Sequence, residues 1–251
     1  MLARDWTIAL LFVSVVISCG KKSEDSTDGG APGPAFYSDS YKEADSSDAR
    51  EIVSKCLAAK SATTTDKVVA SKSISEGPYA WSSSGYSLAI PSSKQAITLK
   101  AALVLDYEGT AVLSADEMAR RMDLQRLCFQ KFYWRHSIDL KLTLYREGET
   151  GIPKDTSVIT IREMGERGES FNVWEWAFGM GGKSYPLDTI CSTMLHEFGH
   201  VLGFPDEYED SKVPDRVLGD KDSIMRSAWT TPDALKLYPR HIEPMLSPLC
   251  K

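Results

Sequence analysis

Regular alternation of apolar and polar residues predicts several β-strands along this chain of 251 residues. The clearest pattern lies at 137–145, where Ile138, Leu140, Leu142 and Leu144 alternate with polar residues, as in a strand with one buried face. Less regular patterns predict further strands at 96–107, 157–163 and 171–178.

Apolar residues at spacings of three and four predict three helices, at 45–60, 114–136 and 187–203. Ser114 and Glu117 form a capping box at the start of the second helix. The Ser- and Thr-rich segment 61–95 has no clear periodicity. The order strand, helix, strands, helix is typical of an α/β or α+β domain rather than of a helical bundle.

The third predicted helix contains HEFGH at 196–200. Side chains four residues apart lie one above the other on a helix, so the imidazoles of His196 and His200 can reach one metal ion. Glu197 is rotated by about 100° from His196 and can lie beside the metal without binding it. Two neutral nitrogen ligands and a carboxylate base are what a zinc hydrolase requires.

The stretch HEFGHVLGFPD resembles the zinc signature of the metzincins, in which a third ligand follows HExxHxxGxx. Gly203 provides the sharp turn before that ligand, and Asp206 occupies the ligand's position. SIM, ending at Met225, is similar to their Met-turn, which lies beneath the metal. The resemblance extends over about 96–245 and implies a metzincin-like zincin domain, with a twisted, mostly parallel sheet above an active-site helix.

The third ligand differs from that of most metzincins, which have histidine where this chain has Asp206. Snapalysin-like small neutral proteases have aspartate there, and an aspartate oxygen is an ordinary zinc ligand. The chain is also similar to uncharacterised bacterial proteins classed as metallopeptidases, in which PRH follows the Met-turn, as Pro239, Arg240 and His241 do here. Glu207 and His241 are therefore alternative third ligands.

Two tyrosines are further candidates for the site. Tyr238, together with His241, can stabilise the oxyanion that forms on a scissile carbonyl, although a packed helix residue is the competing interpretation of Tyr238. Tyr208 can orient a ligand carboxylate through a hydrogen bond.

These residues predict a zinc-dependent metalloendopeptidase that acts on a protein or peptide substrate. In this hypothesis His196, His200 and Asp206 hold Zn²⁺, Glu197 is the general base for the attacking water, and Met225 shapes the floor of the site. Two alternatives stay open. One is a zinc-dependent amidase acting on a cell-wall or other non-protein amide. The other is a non-catalytic envelope lipoprotein that binds a partner, although a purely structural zinc site normally fills all four positions with protein ligands.

Charge and hydropathy exclude some classes of partner. A formal net charge of −6 disfavours nucleic acid, because a protein that binds phosphates is normally basic. No apolar run of about 18 residues occurs beyond the N-terminus, so no internal transmembrane helix is expected.

The N-terminus resembles a bacterial lipoprotein signal peptide. The apolar run from Trp6 to Ile17 is too short to span a bilayer but suits the core of such a peptide. VISC resembles a lipobox, so residues 1–18 are expected to be removed and Cys19 to carry the lipid.

The segment 19–44 is rich in Ser, Asp, Gly and Pro and is expected to form a flexible tether. The metallopeptidase domain then covers 45–251, with its catalytic core at about 96–245. A lipid at Cys19 would attach it to a membrane of the bacterial cell envelope, facing the periplasm or the surface.

Four cysteines remain after Cys19, namely Cys56, Cys128, Cys191 and Cys250. An even number in an exported chain favours two disulfides, and the absence of CxxC pairs disfavours a cysteine zinc site. Three complete pairings are possible, and the sequence does not select one of them.

The lipid anchor is tested by the Cys19→Ser variant, which lacks the thiol that accepts the lipid. We expect the wild-type protein in the membrane fraction and the variant in the soluble fraction of the cell. Recovery of the wild-type protein as a soluble, unlipidated chain would contradict the lipoprotein hypothesis.

Overall fold

The computed structural model describes residues 45–108, 115–154, 156–164, 174–180, 183–184, 187–226 and 231–251. The predicted signal peptide, the tether, Cys19 and Ser114 of the capping box lie outside these residues. Each helix in the described ranges is too short or too polar to cross a membrane.

The described residues form a mixed α+β structure. Its helices are α1 (Ser47–Ala59), α2 (Ala115–Trp134), α3 (Leu187–Val201) and α4 (Pro239–Cys250), with a 3₁₀ turn at Pro232–Ala234. Its strands are β1 (Lys67–Val69), β2 (Ser73–Glu76), β3 (Tyr79–Ser82), β4 (Tyr86–Ala89), β5 (Ile97–Glu108), β6 (Ile138–Arg146), β7 (Ser157–Met164), β8 (Trp174–Met180) and β9 (Lys183–Ser184). The three predicted helices and four predicted strands are confirmed, while β1 to β4, β9 and α4 are additional elements.

Seven of these strands form one open sheet of mixed direction. In its centre β5 pairs in parallel with β6 and β7, and β7 pairs in parallel with β8. The pairing is antiparallel toward both ends, between β1 and β4, β4 and β5, and β8 and β9. Strands β2 and β3 form a separate antiparallel hairpin. The parallel centre agrees with the expected sheet, and the antiparallel ends make the sheet mixed rather than uniform.

Strand β6 shows how the sequence pattern produces the core. Its apolar residues Ile138, Leu140, Leu142 and Leu144 are all buried, whereas the residues between them are partly or fully exposed. The strand lies parallel to β5 because α2 carries the chain back from the end of β5 to the start of β6. The half-buried strand predicted from the alternation is therefore confirmed.

Helix α3 is fixed against α2 by aromatic packing. The ring of Phe198 stacks on Phe129 with centroids 5.1 Å apart and meets the edge of Tyr133 at 5.7 Å. At the end of α3, Gly203 adopts a φ of +94° and donates its N–H to His200 O at 2.8 Å. Glycine adopts this left-handed conformation without the steric cost that a Cβ imposes, so the predicted turn is confirmed.

The four cysteines form two disulfides, as the sequence predicts. Cys56 of α1 is bonded to Cys250 of α4, with 5.2 Å between their Cα atoms. Cys128 of α2 is bonded to Cys191 of α3, with 6.1 Å between their Cα atoms. The first bond joins the two ends of the domain, and the second holds α3 to its neighbour.

Removal of either disulfide should lower the free energy of unfolding by about 2–4 kcal/mol. The Cys56→Ser/Cys250→Ser variant should lose more than the Cys128→Ser/Cys191→Ser variant, because the bridges close loops of 194 and 63 residues. Urea unfolding of both variants measures this order, and thiol alkylation of the unfolded, non-reduced wild type should find no free thiol among these four. Two or more free thiols, or a stability loss in the opposite order, would contradict the expectation.

Candidate metal centre

Helix α3 brings two histidines to one buried place. His196 and His200 lie one turn apart, and each side chain is less than a tenth exposed. Their ring centroids are 4.9 Å apart and their planes are nearly perpendicular. The helix cannot easily rotate to expose them, because Met194 and Phe198 are buried in the core.

Each imidazole is oriented by a backbone carbonyl. Nδ1 of His196 donates to Ile224 O at 2.9 Å, and Nδ1 of His200 donates to Phe204 O at 2.8 Å. A carbonyl can only accept, so Nδ1 carries the proton and the neutral ring has its lone pair on Nε2. Metal-binding histidines commonly make this second hydrogen bond, which fixes both tautomer and orientation.

Asp206 meets both histidines on their Nε2 side. The turn at Gly203 reverses the chain, and the Oδ1 atom of Asp206 lies 3.1 Å from Nε2 of His196 and 3.1 Å from Nε2 of His200. All three potential ligand atoms lie within 4.8 Å of one another. This group could therefore hold a metal ion.

The arrangement of these three atoms suits a cation bound between them better than direct contact among the atoms themselves. Oδ1 of Asp206 is buried and accepts no well-aligned hydrogen bond from a described residue, although both Nε2 atoms are close. Three lone-pair atoms that converge in this way repel unless a positive charge lies between them. Two ligand atoms that each lie about 2.0–2.1 Å from a tetrahedral zinc ion are about 3.3 Å from one another. The distance of 3.1 Å from Oδ1 of Asp206 to each Nε2 atom is close to this value.

The pKa shifts of His196 and Asp206 also indicate that a positive charge is favoured at this place. Burial by itself lowers the pKa of His196, but contact with Asp206 and the charges of Glu197 and Asp206 outweigh it and raise the pKa to about 9. Burial likewise raises the pKa of Asp206, but the two imidazoles outweigh it and hold that pKa far below its ordinary range. A proton on His196 is therefore the alternative to a metal ion at this place.

Glu197 and Tyr208 lie beside the three-residue group. Glu197 is half-buried, and its charge acts on both His196 and Tyr208. Burial, the charge of Asp206 and a hydrogen bond to Asp206 raise the pKa of Tyr208, so its phenol stays protonated and can donate. Tyr208 thus lies beside the carboxylate of Asp206, where the sequence suggested it could orient a ligand.

Met225 packs directly beneath the histidine-bearing turn. It is fully buried, and a Cβ added at Gly199 would collide with its sulfur atom. The preceding residue Ile224 supplies the carbonyl that orients His196. The segment expected to form a floor therefore both contacts α3 and orients one of its histidines.

Glu207 accepts hydrogen bonds from three side chains that lie outside α3. Its carboxylate receives them from Ser223, from Arg240 and, at 2.9 Å, from Nε2 of His241. Burial alone raises the pKa of Glu207, but Arg240, His241 and Ser223 outweigh it and lower the pKa to about 2. Glu207 is thus an ionised buried carboxylate that links three segments of the chain.

His241 and Tyr238, the other accessory candidates, are also bonded within this C-terminal region. Nδ1 of His241 accepts the backbone N–H of Tyr238 at 3.0 Å, so its Nε2 carries the proton donated to Glu207. The Tyr238 hydroxyl donates to Asp222. The structure therefore brings Asp206, and neither Glu207 nor His241, together with His196 and His200.

Four neighbours of the centre were not identified in the sequence. Trp81 meets the ring of His200 edge-on at 5.6 Å between centroids, and Glu76 forms an ion pair with Arg216 close to Asp206. Their own segments carry no motif that signals these contacts. Gly199 is the exception, because a glycine inside a helix costs about 1 kcal/mol relative to alanine and so indicates close packing.

No protein-family model matches the chain, and no curated protein matches it significantly.

Proposed function

We propose that the domain is a zinc-dependent metallopeptidase of metzincin-like type. The observation that supports this most strongly is the convergence of three buried atoms, His196 Nε2, His200 Nε2 and Asp206 Oδ1. Backbone carbonyls orient both imidazoles toward this place. Nitrogen and carboxylate ligands of this kind suit zinc, and three protein ligands leave a fourth position for water and substrate. Zinc held there would supply Lewis-acid chemistry, namely polarisation of a carbonyl and activation of water.

Glu197 is the general base in this proposal. It follows a ligand in the helix and is half-buried beside it, so a water close to His196 lies within its reach. Its carboxylate takes a proton from the attacking water and returns it to the leaving nitrogen. Tyr208 stays protonated and bonded to Asp206, and so holds the ligand carboxylate in place.

The resemblance to metzincins supports the same proposal through Met225. Close packing of this methionine against Gly199 agrees with a Met-turn, which lies beneath the metal. The two disulfides agree with an exported enzyme, because such bonds persist in oxidising compartments. We therefore also propose that the enzyme acts on proteins or peptides in the bacterial cell envelope, attached through Cys19.

The Glu197→Gln variant tests the catalytic role. We expect it to bind zinc like the wild type and to lose at least about 100-fold in turnover, because the base is removed while the ligands stay. Turnover is measured by cleavage of a denatured protein mixture with and without a chelator, followed by mapping of the new termini. Glu209→Gln, at an exposed carboxylate of the following loop, is the matched control and should retain activity. Undiminished cleavage by the Glu197 variant would rule out this mechanism.

The third ligand is tested by zinc stoichiometry in Asp206→Asn, Glu207→Gln and His241→Asn, each checked for folding by circular dichroism. Asp206→Asn should bind zinc at least about 100-fold more weakly, because a neutral amide replaces an anionic ligand. The other two variants should bind one zinc per chain with lower stability, because they weaken a buried hydrogen-bond network. Full zinc occupancy in Asp206→Asn together with its loss in His241→Asn would overturn the assignment of Asp206.

A further inference from the structure

Arg216 lies buried among three carboxylates next to the proposed metal centre. Its side chain is 2% exposed. Nε and Nη2 donate to the two oxygens of Glu76 at 2.9 and 2.8 Å. Nη2 also lies 3.7 Å from Oδ2 of Asp206 and 3.8 Å from Oδ2 of Asp210. Such a geometry places a permanent positive charge beside a proposed metal ligand.

The two oxygens of Asp206 therefore have different neighbours. Oδ1 faces the imidazoles of His196 and His200, whereas Oδ2 faces the guanidinium of Arg216. A carboxylate that is free to rotate can bind a metal through either oxygen or through both. A fixed cation near Oδ2 favours the single orientation in which Oδ1 points to the histidines.

Arg216 is itself held by its surroundings. Glu76, which pairs with Arg216 through two hydrogen bonds, is the last residue of strand β2. Nη1 of Arg216 also donates to the backbone oxygen of Tyr208 at 3.2 Å. The guanidinium also lies over the Tyr208 ring, 4.9 Å from the centroid. Planar guanidinium and carboxylate groups that meet through two hydrogen bonds have little freedom to reorient. The position of the charge is therefore set by the hairpin.

The β2–β3 hairpin also contacts helix α3 and residues 203–216 after it, which carry Asp206 and are here called the ligand loop. The Tyr79 hydroxyl donates to Asp210 at 2.8 Å, and the Trp81 ring meets His200 edge-on. A Cβ added at Gly203 would lie 3.2 Å from Cδ1 of Ile74, so the hairpin packs closely against the turn that precedes Asp206. The hairpin and the ligand loop thus form one packed unit, although they are far apart in sequence.

We infer that Arg216 is a positioning residue for Asp206 and that Glu76 holds it in place, so that the β2–β3 hairpin helps to set the metal affinity of the site. This inference rests on the proposed metal centre. The ion pair does not touch the reacting atoms, and its effect is on the ligand.

Glu76→Gln and Arg216→Lys test this inference through zinc binding. Lysine cannot pair with Glu76 through two hydrogen bonds and also reach Asp206, so both variants should bind zinc at least about tenfold more weakly. Affinity is measured by competition with a chelator. The zinc-induced rise in Tm at a fixed free zinc concentration is a second readout, and it should shrink because it depends on affinity.

A purely structural ion pair would give a different result. It would lower the Tm of the metal-free protein and leave the zinc-induced rise unchanged. Arg135→Lys is the matched control for that outcome, because Arg135 is also buried but bonds to the backbone oxygens of Pro232, Asp233 and Leu235. It should lower the Tm without altering zinc affinity.

The charge-swapped variant Glu76→Arg/Arg216→Glu separates the two roles further. It restores an ion pair between the hairpin and the loop, but places a carboxylate where the guanidinium faced Asp206. We expect zinc affinity to stay low even where stability is regained. Wild-type affinity in the swapped variant, or in both single variants, would overturn the inference. Failure of the wild type to bind zinc would instead refute the proposed function.

Discussion

The whole candidate site depends on one electrostatic constraint, the meeting of two imidazole lone pairs and a carboxylate oxygen in a buried place. Because Nδ1 of His196 and of His200 is committed to a backbone carbonyl, both Nε2 atoms face Asp206 as acceptors, 3.1 Å from its Oδ1. Burying such an arrangement without a compensating cation is costly. A metal ion, or a proton where no metal is bound, removes that cost.

Different parts of the fold hold the three atoms in place. The Cys128–Cys191 disulfide and the aromatic packing of Phe198 fix the helix that carries the histidines. Glu207, the residue after Asp206, connects this part of the chain to two others. Its side chain bonds to Ser223 and to His241 of α4, and its backbone N–H donates to Met225 O at 2.9 Å. The ligand geometry is therefore a property of the tertiary structure rather than of the HEFGH motif alone.

Local sequence patterns predicted those features that depend on residues close together in the chain. Helical spacing placed His196 and His200 on one helix, and Gly203 marked the turn because few other residues accept its φ. The contacts of Glu76 with Arg216 could not be predicted, because residues 140 positions apart meet only in the folded chain. The hairpin that contains Glu76 is short and Ser-rich and has no apolar periodicity. The disulfide pairing was likewise open, because spacing does not distinguish three possible connectivities.

X-ray diffraction from crystals grown with zinc, recorded on both sides of the zinc absorption edge, tests the central claim most directly. The account predicts one strong anomalous peak, within about 2.0–2.2 Å of His196 Nε2, His200 Nε2 and an oxygen of Asp206. A peak ligated by other residues would contradict it, as would no peak at all while these three side chains remain in contact.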